Sequence, residues 1–467
     1  MITDAAVRDL RSRVSGRVLT PSDDGYDAAR SVFNAMIDRR PALVVRCAND
    51  DDVVAAVAVA REQNALVSVK CTGHNVAGFA VCDGGLAIDL SLMKSISVDP
   101  VGRTVRVGAG CTWGEVNDAL QPHSLAAAGG FVSLTGVSGL TLGGGLGWLV
   151  RKHGLALDNL ISARVVLADG RVVTASASEN DDLFWALRGG GGNFGIVTEF
   201  EFRVHEGGSV LAGIALHPFA AARDVLRRWR DLEATAPEEF SGSALLLAFP
   251  QDPNAPEPLR GAALVGVGGV YAGAGPAAET AVGSLRAYGS PIADLFKVTP
   301  YNEVQRMADF AFPLGFRNYW KSSYLKGMSD GAIDVLVDHF KRVPSPNTVI
   351  VLEHNGNGAL ERVPETATAF GHRGWPYNFI VTSAWSNPAE TERNVTWTRE
   401  LFEAMRPFMA DALYVNYIGD EGADGVRAAY GSKYERLAML KAKYDPDNLF
   451  RMNQNIKPAV GVTHAGA

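Results

Sequence analysis

From Ala119 to Val150 the chain carries no Asp, Glu, Lys or Arg. That run exceeds the roughly 20 residues with which a helix spans a bilayer. Its composition nevertheless argues against a membrane span, because eight glycines lie between Leu125 and Val150 together with Ser133, Thr135, Ser138 and Thr141. Each interior glycine weakens a helix by about 1 kcal/mol, and hydrocarbon cannot satisfy the backbone groups that an irregular segment leaves free. The run is therefore expected to be a buried, irregular, glycine-rich segment. With 467 residues and 47% hydrophobic content, two to three domain-sized units are available to enclose it. The 44 basic and 51 acidic residues leave a net charge of −7 with no Lys/Arg block. This excludes a nucleic-acid footprint or a polybasic membrane patch and points to small-molecule partners. Cysteines at 47, 71, 82 and 111 lack Cys-x-x-Cys spacing, and nothing resembles a signal peptide, so a reducing cytoplasm is the expected compartment.

From about residue 40 the pattern alternates between strand and helix. "PALVVRC" reads as a strand, "NDDDVVAAVAVAREQN" as an acid-started amphipathic helix and "LVSVKC" as a second strand. "GLAIDLSLM" and "TVRVGAG" follow as strands, "TWGEVNDAL" opens with Thr112 and Glu115 in capping-box spacing, and "ARVVLADGRVVTAS" is a hairpin around Asp169-Gly170. Residues 207 to 411 differ in texture. Alternating stretches such as "GSALLLAF", "GAALVGVGGVYA", "NTVIVLEHNG" and "NFIVTSAW" interleave with helices such as "ETERNVTWTRELFEAMRPF", predicting an α+β domain with a mostly antiparallel sheet. The tail is read as one helix, "GVRAAYGSKYERLAMLKAKY", stopped by "DPDNLF". Periodicity leaves open whether it returns to the first domain.

Gly190-x-Gly192-x-x-Gly195 matches the dinucleotide fingerprint in letters only, because a helical "DDLFWALR" precedes it and an extended "IVTEFEF" follows. A Rossmann turn needs the opposite order, which disfavours a nicotinamide dehydrogenase. The same holds for "GGGLG" at 143 to 147. Separate glycine loops do let backbone N–H groups wrap a large phosphate-bearing ligand, although each cluster alone is as well explained by tight turns. In "VKCTGHNVAG" an imidazole, His74, sits after Gly73 at a strand end, where the neighbours are small and the loop N–H groups are open to a pyrophosphate. Neither His-x-x-x-His nor Gly-x-Ser-x-Gly occurs, so no metal site and no serine nucleophile is expected.

"VKCTGHNVAG", "GVSGLTLGGGLGWLVRKHGLALDN", "LFWALRGGGGNFGIVTEFEF" and "YDPDNLFRMNQNIKP" together resemble the FAD-linked oxidases of the vanillyl-alcohol-oxidase superfamily, berberine-bridge-enzyme-like group, which includes 6-hydroxynicotine oxidases. The resemblance covers nearly the whole chain. It implies a two-domain α+β flavoprotein: an FAD-binding domain at 1–206 with a PCMH-type core at about 37–206, a substrate domain with an antiparallel sheet at 207–411, and a berberine-bridge-like segment at 412–467 that completes the FAD domain. It further implies that His74 bonds covalently to the flavin. The family's second, cysteinyl link is not expected, since "VSLTG" places Val132 where that cysteine would stand. Lys70, Thr72, Gly73, Asn75 and Gly78 are implied along the pyrophosphate; Gly136, Gly139, Thr141, Gly143 and Gly144 beside pyrophosphate and ring; Asp158 and Asn159 close by; Val197 at the adenine; and Asn416 and Asn453 at the polar edge of the ring. Thr135 falls where oxidases of the group commonly carry valine beside the ring.

The function implied is an oxidase that takes a hydride from a small organic substrate and is reoxidised by dioxygen to give hydrogen peroxide. The alternatives are a monooxygenase of secondary metabolism and a flavin-binding protein without turnover. Substrate-side candidates are Lys321, Glu353, His354, Tyr377 and Tyr417, with Tyr417 ranked first and Glu353 second as proton acceptor. Strand alternation forbids Glu353 and His354 from facing the same side of a regular strand.

Overall fold

The computed structural model describes residues 2–249, 257 and 260–460. The first sheet runs in the order Arg17–Leu19, Leu43–Arg46, Leu86–Asp89, Val67–Lys70, the last three strands parallel. The helix Asp50–Glu62 makes the crossover; Asn49 caps it by accepting from Asp52 N–H, and three aspartates in its first turn complement the positive end of its dipole. The second sheet, Ile96–Asp99, Thr104–Gly108, Ile196–Arg203, Leu160–Val166, Val172–Ser176, is antiparallel throughout and ends in the Asp169-Gly170 hairpin. Thr112 and Glu115 form the capping box, each side chain accepting from the other's backbone N–H (3.2 and 2.7 Å).

A third, larger sheet is antiparallel. Its main path is Ala293–Asp294, Ser209–Pro218, Ala263–Tyr271, Phe240–Ala248, Val349–His354, Tyr377–Trp385, Arg317–Leu325. Period-two alternation divides its side chains: Ala244, Leu246, Ile350, Leu352, Phe379 and Val381 pack into a core with the helices Ala222–Glu233, Asp330–Phe340 and Thr391–Met405. The chain is thus an α+β protein with one mixed and one antiparallel sheet in its first half and a helix-backed antiparallel sheet in its second.

The charge-free run holds the short helix Val137–Gly143, ends where the helix Val150–His153 begins, and is largely buried. Among the described residues no helix is long and apolar enough to cross a membrane. The tail helix read as continuous is divided into Gly422–Tyr430 and Tyr434–Tyr444. Gly431 takes φ +51°, and a Cβ there would lie 3.0 Å from the His372 ring, so the break is built at a close approach that periodicity does not register.

On both sides of that break the tail joins the same hydrophobic core as the N-terminal half, through Val415, Ile418 and Val426 before it and Leu437, Phe450 and Ile456 after it. Lys441, fully buried, fastens the return: its ammonium donates to Asn193 O (2.7 Å), Phe450 O (2.9 Å) and Asp445 Oδ2 (2.7 Å). Asp445 in turn accepts from Leu449 and Phe450 N–H. Lys441→Met strands the Asp445 carboxylate, and a loss of about 3 kcal/mol is expected. Urea unfolding measures it, and a change below the error of the extrapolation would show that the ion pair does not hold the tail.

Candidate active site

A cavity of about 1020 Å³ lies between the glycine-rich loops and the free face of the large sheet. Thr72 to Asn75, Gly136, Gly139 and Gly143 line one side, Gly191, Gly192 and Asn453 an edge, and Leu245, Val351, Glu353 and Ile380 the roof.

His74 owes its place to the end of the strand Val67–Lys70, where Gly73 turns the chain at φ +77°, a conformation that favours glycine. Asn75 fastens the loop by accepting from Gly78 N–H on its carbonyl (3.1 Å) and from Phe79 N–H on Oδ1 (3.2 Å). The N–H groups of Gly73, His74 and Asn75 have no acceptor among the described residues. The His74 ring stacks on Phe33 (centroids 4.3 Å apart, 10° between planes), and its Nε2 is buried without a partner. Burial lowers its pKa to about 4, so the imidazole is neutral at physiological pH. On the tail, Asn416 donates to Leu140 O (3.0 Å) and Tyr414 Oη (2.9 Å), and sits so close that a Cβ on Gly143 would lie 2.1 Å from its Oδ1. Asn453 donates to Gly192 O (3.1 Å) while its Oδ1 is buried and unpartnered.

These features suit a large phosphate-bearing aromatic cofactor. Consecutive free N–H groups can receive an anion, and a Cβ on Gly139 or Gly192 would meet no protein atom within 4 Å, so the lining is bare where a ring system needs room. Among the described residues no group of three His, Cys, Asp or Glu side chains is placed to hold a metal ion.

Of the residues named from the sequence, Thr72, Gly73, His74, Asn75, Thr135, Gly136, Gly139, Gly143, Glu353, Asn416, Tyr417 and Asn453 line the cavity. Eight do not. Lys70 points away by strand parity and is buried against Ala29 O (2.5 Å) and Asp89 (4.0 Å). Gly78 backs onto Ile37, Thr141 donates to Val137 O within its helix, Gly144 lies under Tyr414, and Val197 is inside a strand core. Asp158 is paired with Arg373 (2.7 Å), and Asn159 Oδ1 accepts from the His205 ring (2.7 Å). Lys321 is held by Glu421 (2.5 Å). His354 and Tyr377 also stay out; His354 meets Glu233 (3.1 Å) on the opposite face from Glu353, as alternation requires.

The roof carries one chemical cluster. Glu353, 4% exposed, accepts from Tyr417 Oη on Oε1 (2.9 Å) and from Asn378 Nδ2 on Oε2 (2.9 Å). Burial raises its pKa to about 7, working against those hydrogen bonds. Burial and the facing carboxylate raise Tyr417 well above the ordinary phenol value, so its hydroxyl remains a donor. Asn378 and Ser243 are the residues that sequence reasoning missed. They are the register neighbours of Glu353 on its two flanking strands, a signal available only once strand order is known.

Comparison with known proteins agrees with this geometry. Residues 41–176 match the FAD binding domain family and 413–457 the berberine and berberine-like family. An FAD-linked oxidoreductase of Dictyostelium discoideum is 30% identical over 455 residues, covering 97% of each chain. The (R)-6-hydroxynicotine oxidase of Paenarthrobacter nicotinovorans is 32% identical, covering 95% of this chain and 97% of its own. The crystal structure of 6-hydroxy-D-nicotine oxidase from Arthrobacter nicotinovorans superposes with a TM-score of 0.86 at 30% identity, covering 96% of this chain and 98% of that one.

Proposed function

The chain belongs to the berberine-bridge-like FAD-linked oxidoreductases, and from that premise we propose that it is an oxidase whose cavity takes a small organic donor between the flavin and the roof sheet. Bound FAD supplies the hydride acceptor, which dioxygen reoxidises with release of hydrogen peroxide. The observation that carries the reading is Glu353, a buried carboxylate tuned to about 7 on the wall of the cavity that the His74 loop also lines.

In this reading the discontinuous domain, 1–206 with 412–467, holds FAD. The open N–H groups at 73–75 take the pyrophosphate, and Asn416 and Asn453 meet the polar edge of the ring. The shared core of tail and N-terminal half supports that division. His74 makes the covalent bond, for which its neutral ring and unpartnered Nε2 are suited. Cys71, although it lines the cavity, has its thiol pushed up to about 11 by burial, which argues for a single linkage. Four free cysteines are consistent with a cytoplasmic setting.

Glu353 receives the substrate proton. Tyr417, which the sequence ranks first, has a raised pKa that makes it the poorer acceptor and gives it the task of orienting Glu353. Lys321, engaged by Glu421, has no part in this chemistry.

Thr135 lines the cavity, and its hydroxyl has no hydrogen-bond partner among the described residues, the one observation favouring monooxygenation as a second reading. Its size still leaves space for dioxygen. The oxidase reading expects one hydrogen peroxide per substrate consumed. It also expects Thr135→Leu to slow air reoxidation by about tenfold while anaerobic reduction is preserved. Oxygen incorporated into product in place of free peroxide would select the second reading.

A further inference from the structure

The roof face is almost devoid of polar groups. Alternate positions of the three neighbouring strands Phe240–Ala248, Val349–His354 and Tyr377–Trp385 present Leu245, Leu247, Val349, Val351 and Ile380 to the cavity, and Leu216 joins them from Ser209–Pro218, beyond Ala263–Tyr271. Among the described residues of those strands the only ionisable side chain lining it is Glu353. Thr382 lines it too, but its hydroxyl proton is committed to Val349 O (3.1 Å), so it has no donor left for a ligand. Ser243 is different. It stands opposite Glu353 in the strand register, lines the cavity, and its hydroxyl has no partner among the described residues. The next charged groups, Asp294 and Lys297, lie on exposed edge strands at the rim beside Leu295 and Phe310, which are 51% and 58% exposed.

The roof side of the cavity thus has one polar end, made by Ser243, Glu353 and Tyr417, and an apolar length that runs out to a rim where Leu295 and Phe310 stand beside Asp294 and Lys297. An oligosaccharide placed there would set most of its hydroxyls against methyl groups, losing water hydrogen bonds without replacement. An ammonium group would have to cross the same wall as a charge. A single neutral hydroxyl would not.

Resting on the oxidase reading above, we propose that the substrate is an apolar primary or secondary alcohol, its hydroxyl held between Ser243 and Glu353 and its hydrocarbon or aromatic body laid along the Leu245–Val351 wall toward Leu295 and Phe310. Oxidation to the carbonyl then balances in two parts. The O–H bond breaks with its proton passing to the Glu353 carboxylate, and the carbinol C–H bond breaks with its electron pair leaving as the hydride that the family's flavin accepts. Ser243 donates to the alcohol oxygen and keeps the O–H directed at Glu353.

The test uses the flavin-loaded protein and begins with binding. Titration calorimetry with biphenyl-4-carboxamide, an apolar mimic that has no carbinol to oxidise, should show saturable binding, and cellobiose should show none at the same concentrations. Leu245→Gln should weaken the mimic by about tenfold. Val351→Thr, which conserves shape while adding a hydroxyl, repeats the measurement should the first variant fail to fold. In turnover, biphenyl-4-methanol should exceed biphenyl-4-methylamine in kcat/KM by at least about tenfold, and Ser243→Ala should raise KM for the alcohol. Binding of cellobiose, no binding of the mimic, or preference for the amine by a flavin-loaded protein would overturn the substrate class alone. A protein that loads no flavin would instead overturn the oxidase reading on which it rests.

Discussion

Acid precipitation of the unsubstituted protein is expected to leave all the flavin colour in the pellet, and His74→Ala is expected to move all of it into the supernatant. The size of the effect follows from the nature of the bond, since a covalent link survives unfolding and a packed cofactor does not. His74 meets the requirements of such a link. The ring is neutral because burial lowers its pKa to about 4, it is held flat against Phe33, and Nε2 is buried with nothing in the chain to satisfy it. Alanine removes the nucleophile while leaving the Gly73 turn and the free N–H groups, so the variant should still take up FAD reversibly. Cys71→Ser is the control: a thiol raised to about 11 is almost wholly protonated at neutral pH, and attachment should be unaffected. Flavin released from the unsubstituted protein on denaturation would sink the assignment, and release from Cys71→Ser alone would move the link to sulfur.

How much of this site the sequence disclosed depends on how local each cause is. The capping box at Thr112, the hairpin at Asp169-Gly170, the inverted context of Gly190 to Gly195 and the opposite facing of Glu353 and His354 all rest on contacts a few residues apart or on strand parity. Parity also decides Lys70. Val69 and Cys71 line the cavity, so the residue between them on an extended segment has to face away, and alternation alone takes it out of the phosphate set. Asp158, Asn159 and Lys321 are another matter. Their side chains are claimed by Arg373, His205 and Glu421, partners 215, 46 and 100 residues away, and no local pattern announces such pairings. The same is true of Asn378 and Ser243, which become neighbours of Glu353 only through the order of strands in the large sheet. Local chemistry was legible, and what a distant strand or helix does with it was not.

That distinction bears directly on the proton acceptor, for which Glu353→Gln is expected to lower kcat/KM by about 10² to 10⁴. Glutamine retains the shape and still accepts from Tyr417, but it cannot take a proton. The pH dependence carries the sign. Only the carboxylate form is a base, and burial raises the pKa to about 7, so the rate should rise with unit slope as pH approaches 7 and level off above it. Tyr417→Phe tests the same group from outside. The Tyr417 hydrogen bond favours the charged form of Glu353, so its removal should carry the acidic limb to higher pH, with a moderate loss of rate at pH 7 that recovers under more alkaline conditions. A Tyr417 acting as the base itself would give a different pattern. Its pKa lies well above that of an ordinary phenol, so the rate would still be climbing at strongly alkaline pH, and phenylalanine would abolish turnover with no recovery. A Glu353→Gln protein that keeps both its rate and its limb near pH 7 would remove Glu353 from the chemistry, and an unmoved limb in Tyr417→Phe would show that the hydroxyl does not tune it.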